Sequence, residues 1–323
     1  MTTLTIIPLA GLVCCLLIVP RVAHPQGLPA YAPINPAADS RTPLGFEPFR
    51  SPRPGRWRVG LALDYASAIE HAVETVASHD LDAEILRLRF GVARDLGPAG
   101  FVGLEGGIGG GYAGFLDGTI DWYHGLLGVT VEERERRPRG DFLYRIDLPD
   151  GRAVERRPRD LFLSDLRLGA GVRHSRHLQT VAALVLPVST APEGYGRDAV
   201  ALGLITTIRL PLAEPLIYEG SLGLGYSPTR GDLARYQRAV FVSGSSGLRW
   251  RVWGRQSVYA NLFVHSPYYH DTTLRSLDRR ELSLDFGWIL ATRSGQEWRV
   301  GLTEDLEPGG PGIDLVFRLG VTR

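Results

Sequence analysis

The sequence contains no lysine, so all 36 of its basic side chains are arginines. They are balanced by 35 acidic side chains, and the formal net charge is only +1. A chain this close to neutrality has no excess charge with which to attract nucleic acid or an acidic membrane surface. The composition therefore predicts no nucleic-acid partner. It leaves open whether the arginines recognise phosphate or carboxylate groups.

Cysteine and long apolar runs are also scarce. The only two cysteines, Cys14 and Cys15, lie within the one long apolar run, Leu4–Val19. An apolar run of this length at the N-terminus is typical of a secretory signal peptide and short for a membrane helix. We predict a signal peptide over residues 1–26 and an exported chain without disulfides or thiolate metal sites. A lipoprotein anchored at one of the cysteines is the alternative.

The clearest pattern is an alternation of apolar and polar residues from Arg197 to Ser227. A period of two puts successive side chains on opposite faces of a strand. Two such arms flank Pro211–Pro215, which predicts a hairpin with one apolar face and one polar face. Each arm holds the pattern for about a dozen residues, roughly twice the mean soluble strand. That length fits a strand tilted across a bilayer, which needs ~9–11 residues.

The same alternation recurs along the chain and predicts twelve strands. The connections between them are alternately long and short, from the long Ala68–Ala83 and the short Asp95–Ala99 onward, as in bacterial outer-membrane barrels. A soluble sandwich does not require this alternation. We therefore predict an all-β fold, a transmembrane antiparallel up-and-down β-barrel of about 12 strands over residues 56–323. The predicted strands begin near residues 56, 84, 101, 162, 178, 197, 216, 240, 258, 282, 298 and 313.

The polar face of these strands is expected to line the barrel lumen, because an arginine facing lipid at the bilayer midplane costs ~2–4 kcal/mol. Charges of both signs are interspersed on this face, so we interpret them first as cross-strand ion pairs. Lining a pore or binding a charged ligand is the alternative. The residues predicted to line the lumen are Asp64, Arg87, Arg89, Glu105, Asp165, Arg167, Glu219 and Asp285.

Residues 27–55 do not follow the strand pattern. They are rich in proline and alanine and show no apolar period. We interpret them as an extended periplasmic lead-in to the first strand.

A second exception is the insert at 112–161, a long outer loop after strand 3. Loops longer than ~12–15 residues are usually functional or disordered, and Gly114–Gly128 is too apolar for a solvated tail. It is expected to fold inward or to lie at the membrane interface, with a cap over the barrel mouth as the alternative. A turn signal at Pro149–Gly151 predicts a small outer hairpin. The residues expected to constrict or gate the mouth are Phe115, Asp117, Trp122 and His124.

Catalytic and metal motifs are weak. Gly109–Gly114 matches a dinucleotide fingerprint, but no βαβ unit surrounds it. His265 beside Ser266 is the basis for a lipid hydrolase or acyltransferase as a minor alternative, although no third residue is placed to orient the base. His124, His265 and His270 lack metal-ligand spacing. We predict no catalytic residue, no metal and no cofactor.

Several stretches resemble an uncharacterised bacterial family, domain of unknown function 3187. They are INPAADSRTPLGFEP (34–48), GFLDGTIDWYHGLLG (114–128), SDLRLGAGVR (164–173), HSPYYHDT (265–272) and GLTEDLEPGGPGIDLVFRLGV (301–321). The resemblance spans nearly all of the predicted mature chain. It implies an exported outer-membrane barrel and no particular activity, ligand or catalytic residue.

The leading functional hypothesis is a non-enzymatic, porin-like channel or ligand-specific transport protein of the Gram-negative outer membrane. Its substrate, a small molecule or ion, is not specified by the sequence. A filled barrel that maintains the envelope or serves as an attachment point is the second hypothesis, and a lipid-modifying enzyme is the third. The expected partners are outer-membrane lipid, including lipopolysaccharide, and the barrel assembly machinery.

Overall fold

A computed structural model describes residues 27–53, 55–114, 140–191, 195, 197–307, 309–313 and 315–323, with the single positions 118, 122 and 125. The predicted signal peptide at 1–26 lies outside this part of the chain and stays a prediction. Fifteen strands form one antiparallel sheet. Among the described residues, no helix is long and apolar enough to cross a membrane.

Twelve of the fifteen strands close into a barrel, all except β4, β5 and β6. The first barrel strand pairs with the last, so the ring has no open edge. The strands are β1 (Trp57–Val73), β2 (Ser78–Asp95), β3 (Gly100–Tyr112), β4 (Leu143–Asp147), β5 (Ala153–Glu155), β6 (Arg159–Leu163), β7 (Leu166–Arg173), β8 (Leu178–Leu186), β9 (Ala201–Ala213), β10 (Leu216–Tyr226), β11 (Val240–Trp253), β12 (Gln256–His265), β13 (Glu281–Ala291), β14 (Glu297–Asp305) and β15 (Leu315–Thr322).

The predicted twelve-stranded antiparallel barrel is thus confirmed. Closure pairs the backbone N–H and C=O groups of each strand with its two neighbours, which a sheet in lipid requires. The two faces are separated as the alternation predicted: on β10, Leu222 is 72% exposed on the outer face, whereas Glu219 is fully buried on the inner face. The outer surface is therefore apolar, and the polar face lines the interior.

One end of the barrel carries the short connections, and we call it the short-turn end. Its turns lie at 96–99, 174–177, 214–215, 254–255 and 292–296. The predicted turn Pro211–Pro215 is narrower than expected, because β9 continues to Ala213 with a register shift at Leu216. The opposite end, which we call the long-loop end, carries the longer connections at 187–200, 227–239, 266–280 and 306–314.

The first predicted long connection, Ala68–Ala83, is wrong. β1 and β2 continue as a paired ladder to Val73↔Ser78, so the connection is only residues 74–77. The hairpin projects beyond the neighbouring strands at the long-loop end. There Ser78–Asp82 of β2 pairs with β1 on one edge and with β4, instead of β3, on the other.

The long outer loop predicted after strand 3 is not confirmed. Most of residues 115–139 lie outside the described residues. The remainder of the insert is structured: β4 and β5 form the predicted small hairpin about Gly151, and β6 pairs with the upper part of β3. The insert therefore extends the wall at the long-loop end.

The largest correction concerns residues 27–55. They were expected to be an extended periplasmic lead-in, but residues 27–53 are folded back on themselves inside the barrel. Tyr31 and Phe46 form an antiparallel bridge, and between them lies a short helix, α1 (Pro36–Asp39), capped by the Asn35 side chain. We call residues 27–53 the plug. A second short helix, α2 (Arg275–Asp278), lies in the connection between β12 and β13.

Candidate functional site

The plug runs up and down the lumen as two limbs joined by α1. The first limb begins near Gly27, whose carbonyl accepts a hydrogen bond from Arg249 of the wall at 3.0 Å. The second limb ends at Arg53, whose N–H donates to Asp95 at 2.6 Å. Asp95 is the last residue of β2, so this limb leaves the lumen at the short-turn end and continues into β1.

Wall arginines hold the first limb by its backbone carbonyls. Arg299 donates to Ala30 at 3.1 Å, and Arg87 donates to Ala32 at 2.9 Å. Arg87 also donates to the carbonyl of Pro33. Proline has no N–H to donate, so a proline-rich segment presents mainly acceptors. Arginine, with five N–H donors, complements such a segment.

The second limb is held in the same way by polar side chains of β8, β9 and the preceding loop. Arg197 donates to the carbonyl of Asp39 at 2.6 Å, and Thr207 donates to that of Glu47 at 2.6 Å. The side chain of Gln179 donates to the carbonyl of Pro48 at 2.7 Å. Both limbs are therefore fixed to the wall by hydrogen bonds to backbone atoms.

At the long-loop end, α1 is tied to the outer loops. Arg41 donates to the carbonyls of Ser227, Pro228 and Arg238, each at 3.0 Å. The Tyr269 hydroxyl donates to the carbonyl of Ala37 at 3.2 Å. Burial raises the pKa of Tyr269 to about 12, so this phenol remains a protonated donor at physiological pH.

An ion-pair cluster lies in the middle of the lumen around Asp64, which is fully buried. Its carboxylate is 2.9 Å from Arg87, 3.2 Å from Arg89 and 3.4 Å from Arg318. Arg318 also lies over the ring of Tyr31 in the plug, 4.6 Å from its centroid. The cluster thus joins strands β1, β2 and β15 to the first limb of the plug.

The structure places all of the predicted lumen residues on the inner side of the wall. Glu219 accepts the N–H of Leu28 in the plug, and Asp285 accepts the hydroxyl of Thr303 and lies 3.5 Å from Arg318. Asp165 lies just before β7 and accepts backbone N–H groups of Ser189 and Arg197. Their role in binding or passage of a ligand stays a prediction.

The predicted gate is not located by the structure. Phe115, Asp117 and His124 lie outside the described residues, and Trp122 is 65% exposed. The plug, which sequence reasoning missed, occupies the lumen instead. The sequence did contain a signal that this segment is buried. Apolar residues such as Tyr31, Leu44 and Phe46 recur among its prolines, whereas a segment exposed to water is expected to be polar.

His265 and Ser266 do not form a catalytic pair. The Nδ1 of His265 lies 2.6 Å from the backbone carbonyl of Ser266, to which it donates. Its Nε2 therefore accepts from the Thr42 hydroxyl of the plug, at 2.6 Å. The Ser266 hydroxyl oxygen instead accepts the N–H of Val242 at 3.0 Å. Within the described residues, no cluster of His, Cys, Asp or Glu could hold a metal ion.

The space between the plug and the wall includes a lower and an upper cavity. The lower cavity, at the short-turn end, has a volume of about 480 Å³. The upper cavity, toward the long-loop end, has a volume of about 130 Å³. Four residues line both cavities, so the two spaces adjoin there: Ala30, Arg89, Glu105 and Arg167. We call these four residues the neck.

The lower cavity exists because glycine occupies many inward positions on this side of the barrel. Gly91, Gly103 and Gly169 lie on β2, β3 and β7, and a Cβ built on any of them would have its nearest neighbour at 3.4 Å or farther. The opposite wall also uses glycine, but there the plug fills the space: a Cβ at Gly225 would lie 2.9 Å from Leu44. Free volume therefore lies beside β2, β3 and β7, and residues of β1, β14 and β15 also line the lower cavity.

Ion pairs narrow the neck. Arg89 lies 3.5 Å from Glu105, and Arg167 lies 2.6 Å from Glu47 of the plug. Glu105 and Arg167 are register partners across β3 and β7, so they face the lumen at the same height. Three of the four neck residues are among those predicted from sequence to line the lumen.

Comparison with known proteins identifies relatives by fold only. No family model matches the chain, and no curated protein matches it, so the resemblance to domain of unknown function 3187 stays a prediction. Among solved structures, the chain is similar to the COG4313 outer membrane channel from Pseudomonas putida F1, with a TM-score of 0.54 and 13% identity. That match covers 84% of this chain and 97% of the channel.

Weaker similarity extends to two other solved structures. The NanC porin matches with a TM-score of 0.45 and 7% identity, over 82% of this chain and 98% of NanC. The toluene transporter TodX from Pseudomonas putida matches with a TM-score of 0.41 and 9% identity, over 92% of this chain and 98% of TodX. The match to the COG4313 channel, at 13% identity, shows the fold alone, a closed β-barrel like that of an outer-membrane channel.

Proposed function

We propose that the protein is an outer-membrane channel in which solute passes between the plug and the wall formed by β2, β3 and β7. The observation that carries the proposal is the pair of adjoining cavities on this one side of the plug. Together they follow the plug from the short-turn end past the neck toward the long-loop end. The likeness to the COG4313 outer membrane channel supports the channel class and says nothing of the substrate.

The neck is the selective element of this passage. Arg89 and Glu105 pair between the neighbouring strands β2 and β3, and Arg167 pairs with Glu47 of the plug, so a permeating solute displaces or bridges those pairs. Arg89, Glu105 and Arg167 are partly exposed, with 13%, 35% and 19% of their side chains accessible. Glu105 is the most accessible of the three, and its 3.5 Å pair with Arg89 is longer than the Arg167–Glu47 pair, so the Arg89–Glu105 pair requires the least free energy to open.

The outer-membrane location and the expected partners belong to this proposal. The outward apolar face matches the lipid-facing band of a transmembrane barrel. By the rule for bacterial barrels the short-turn end faces the periplasm, and the predicted signal peptide directs export. Lipopolysaccharide and the barrel assembly machinery are then the natural partners. Membership of domain of unknown function 3187 is part of the same proposal, and one of its motifs, residues 34–48, lies within the plug.

Conductance of the purified, detergent-folded protein in a planar bilayer tests the proposal. The wild type is expected to give reproducible ion steps. Gly169→Leu places a side chain into the lower cavity, where the nearest atom to a Cβ is 3.9 Å away. We expect this variant to fold and to conduct severalfold less than the wild type.

Ala170→Leu is the matched control, because Ala170 is the next residue on β7 and is exposed on the outer face. It adds the same side chain toward lipid and should leave the conductance unchanged. Equal conductance of the two variants would contradict a passage beside β7.

The second candidate function is a filled structural barrel of the envelope. It is favoured by the hydrogen bonds that hold both limbs of the plug to the wall, from Gly27 to Arg50. A correctly folded wild type that gives no ion steps would support this candidate and remove the channel.

A further inference from the structure

We propose that the lower cavity binds small organic anions, molecules with one carboxylate or sulfonate group and a compact apolar body. This proposal names the substrate class of the channel and so rests on the proposed function for its biological meaning. The binding site itself is argued from the cavity alone.

The charged lining of the lower cavity is strongly asymmetric. Its charged residues before the terminal Arg323 are six arginines and two glutamates. A cleft lined mainly by one sign of charge concentrates ions of the opposite sign. The residues are Arg50, Arg53, Arg58, Arg89, Arg167, Arg299, Glu105 and Glu297.

The carboxylates behind the lining do not neutralise these arginines one for one. Asp95 pairs with both Arg58 and Arg173, at 2.9 and 2.5 Å. Glu47 pairs with both Arg50 and Arg167, at 3.3 and 2.6 Å. Each of these two carboxylates thus serves two cations, so positive charge remains to be balanced by a ligand.

The upper cavity provides a contrast within the same molecule. It is lined by four arginines and four carboxylates, so its charges are balanced. The basic excess is therefore specific to the lower cavity and not a general property of the lumen. The lining carboxylates are Asp39, Glu47, Glu105 and Asp165.

Apolar side chains also line the lower cavity. Leu28 and Phe49 from the plug and Phe101, Val181 and Ile289 from the wall line it. Ligand sites typically have volumes of about 300–1,000 Å³ and combine apolar walls with a few placed polar groups. A cavity of about 480 Å³ thus suits a ring or short alkyl chain bearing a single anionic group.

Arg50 is the cation best placed to meet that group. Its guanidinium lies over the ring of Phe101, 5.0 Å from the centroid, which fixes its orientation. Its Nη1 lies 3.7 Å from the position that a Cβ on Gly103 would take, so it faces the cavity side of β3. Guanidinium and carboxylate form strong, directional hydrogen bonds. Arg53 follows on the same limb and lines the same cavity.

Equilibrium binding of benzoate tests the site without requiring conduction. Saturation-transfer NMR on the detergent-folded protein would compare benzoate with benzamide, its neutral counterpart. We expect benzoate to bind and benzamide to bind about tenfold more weakly or not detectably, since a charge-assisted hydrogen bond is lost. The double variant Arg50→Gln/Arg53→Gln should weaken benzoate binding by a similar factor.

The matched control is Arg255→Gln/Arg293→Gln. It removes two arginines from turns at the same end of the barrel, and neither lines the cavity. Benzoate affinity should not change in this control. The proposal is overturned if benzamide binds as tightly as benzoate, or if the two double variants weaken benzoate binding equally.

Conductance separates this inference from the proposed function. A protein that conducts but does not prefer benzoate to benzamide is a channel without the anion site. A silent protein that binds benzoate through Arg50 and Arg53 retains the site and loses the channel.

Discussion

At the scale of single residues, arginine makes contacts in this lumen that lysine cannot make. Arg318 donates to Thr303 at 2.6 Å, and its guanidinium lies within 3.5 Å of both Asp64 and Asp285. It also stacks on Tyr31 of the plug. A planar guanidinium serves several acceptors at fixed angles, whereas an ammonium is a compact point charge. The use of arginine alone as the basic residue therefore suits the contacts made in this lumen.

Arg318→Leu is therefore expected to destabilise the barrel by about 3–5 kcal/mol, the cost of leaving a buried charge without its partner. Here Asp285 loses the guanidinium that lies 3.5 Å away, and Asp64 keeps only Arg87 and Arg89 of its three arginines. Both carboxylates are fully buried. Arg318→Lys keeps the charge but loses the planar guanidinium with its several donors. The decrease in the free energy of unfolding should therefore be smaller, about 1–3 kcal/mol. Denaturant-induced unfolding in lipid or detergent measures both.

Arg293→Leu serves as the reference for this pair, since Arg293 lies in an exposed turn. Its effect on the free energy of unfolding should stay within about 0.5 kcal/mol. If Arg318→Leu were no worse than Arg293→Leu, the buried cluster would have no part in stability.

At the scale of elements, the strands were predictable and the plug was not. The alternation along β10 and β15 is a local property of the sequence, because each residue's face follows from its parity. The plug has no such period. Its positions are fixed by contacts across the chain, such as Arg299 with Ala30, which are 269 residues apart. Only the apolar residues among its prolines hinted that it was not solvated.

The first hairpin shows a second limit of the sequence. The alternation weakens after Tyr65, where Glu70, His71 and Asp80 bring polar groups to the ladder. The structure shows that the ladder continues beyond the neighbouring barrel strands, where neither face needs to suit lipid. Loss of the pattern therefore marks the end of the lipid-facing part and not the end of the strand. The parity rule still placed Arg89, Glu105 and Arg167 of the neck correctly, because they lie within the lipid-facing length of their strands.

Deleting residues 27–53 tests the plug as an element. Without it, the lumen is open from the short-turn end to the long-loop end, and water can solvate the freed wall arginines. We expect conductance to rise severalfold. The melting temperature should fall, because the hydrogen bonds between plug and wall are lost. Bilayer recordings and the temperature of the heat-induced gel-mobility shift measure the two effects.

Circular dichroism would verify that the deletion variant still forms a β-barrel. A folded deletion variant that conducts no better than the wild type would show that the plug does not limit the passage.

At the scale of the whole molecule, a closed wall, an internal plug and an asymmetric pattern of glycine together define the passage. Gly91, Gly103 and Gly169 leave the space open, whereas Gly225 is covered by Leu44. The plug can therefore stay attached to the wall while solute moves through the space beside it. The passage does not require the plug to leave the barrel.

Whether solute can pass while the plug stays in place is tested most directly by cross-linking the plug to the wall with a disulfide, which we call a staple. A Cβ at Gly225 would lie 2.9 Å from Leu44 Cγ. Leu44→Cys/Gly225→Cys staples the second limb, with Cys14 and Cys15 changed to serine.

Single-channel conductance of the stapled protein, oxidised and then reduced with dithiothreitol, is the measurement to make. A passage beside the plug predicts equal conductance in both states, with the disulfide verified by mass spectrometry. Silence when oxidised and recovery on reduction would contradict it, because solute would then move only when the plug does.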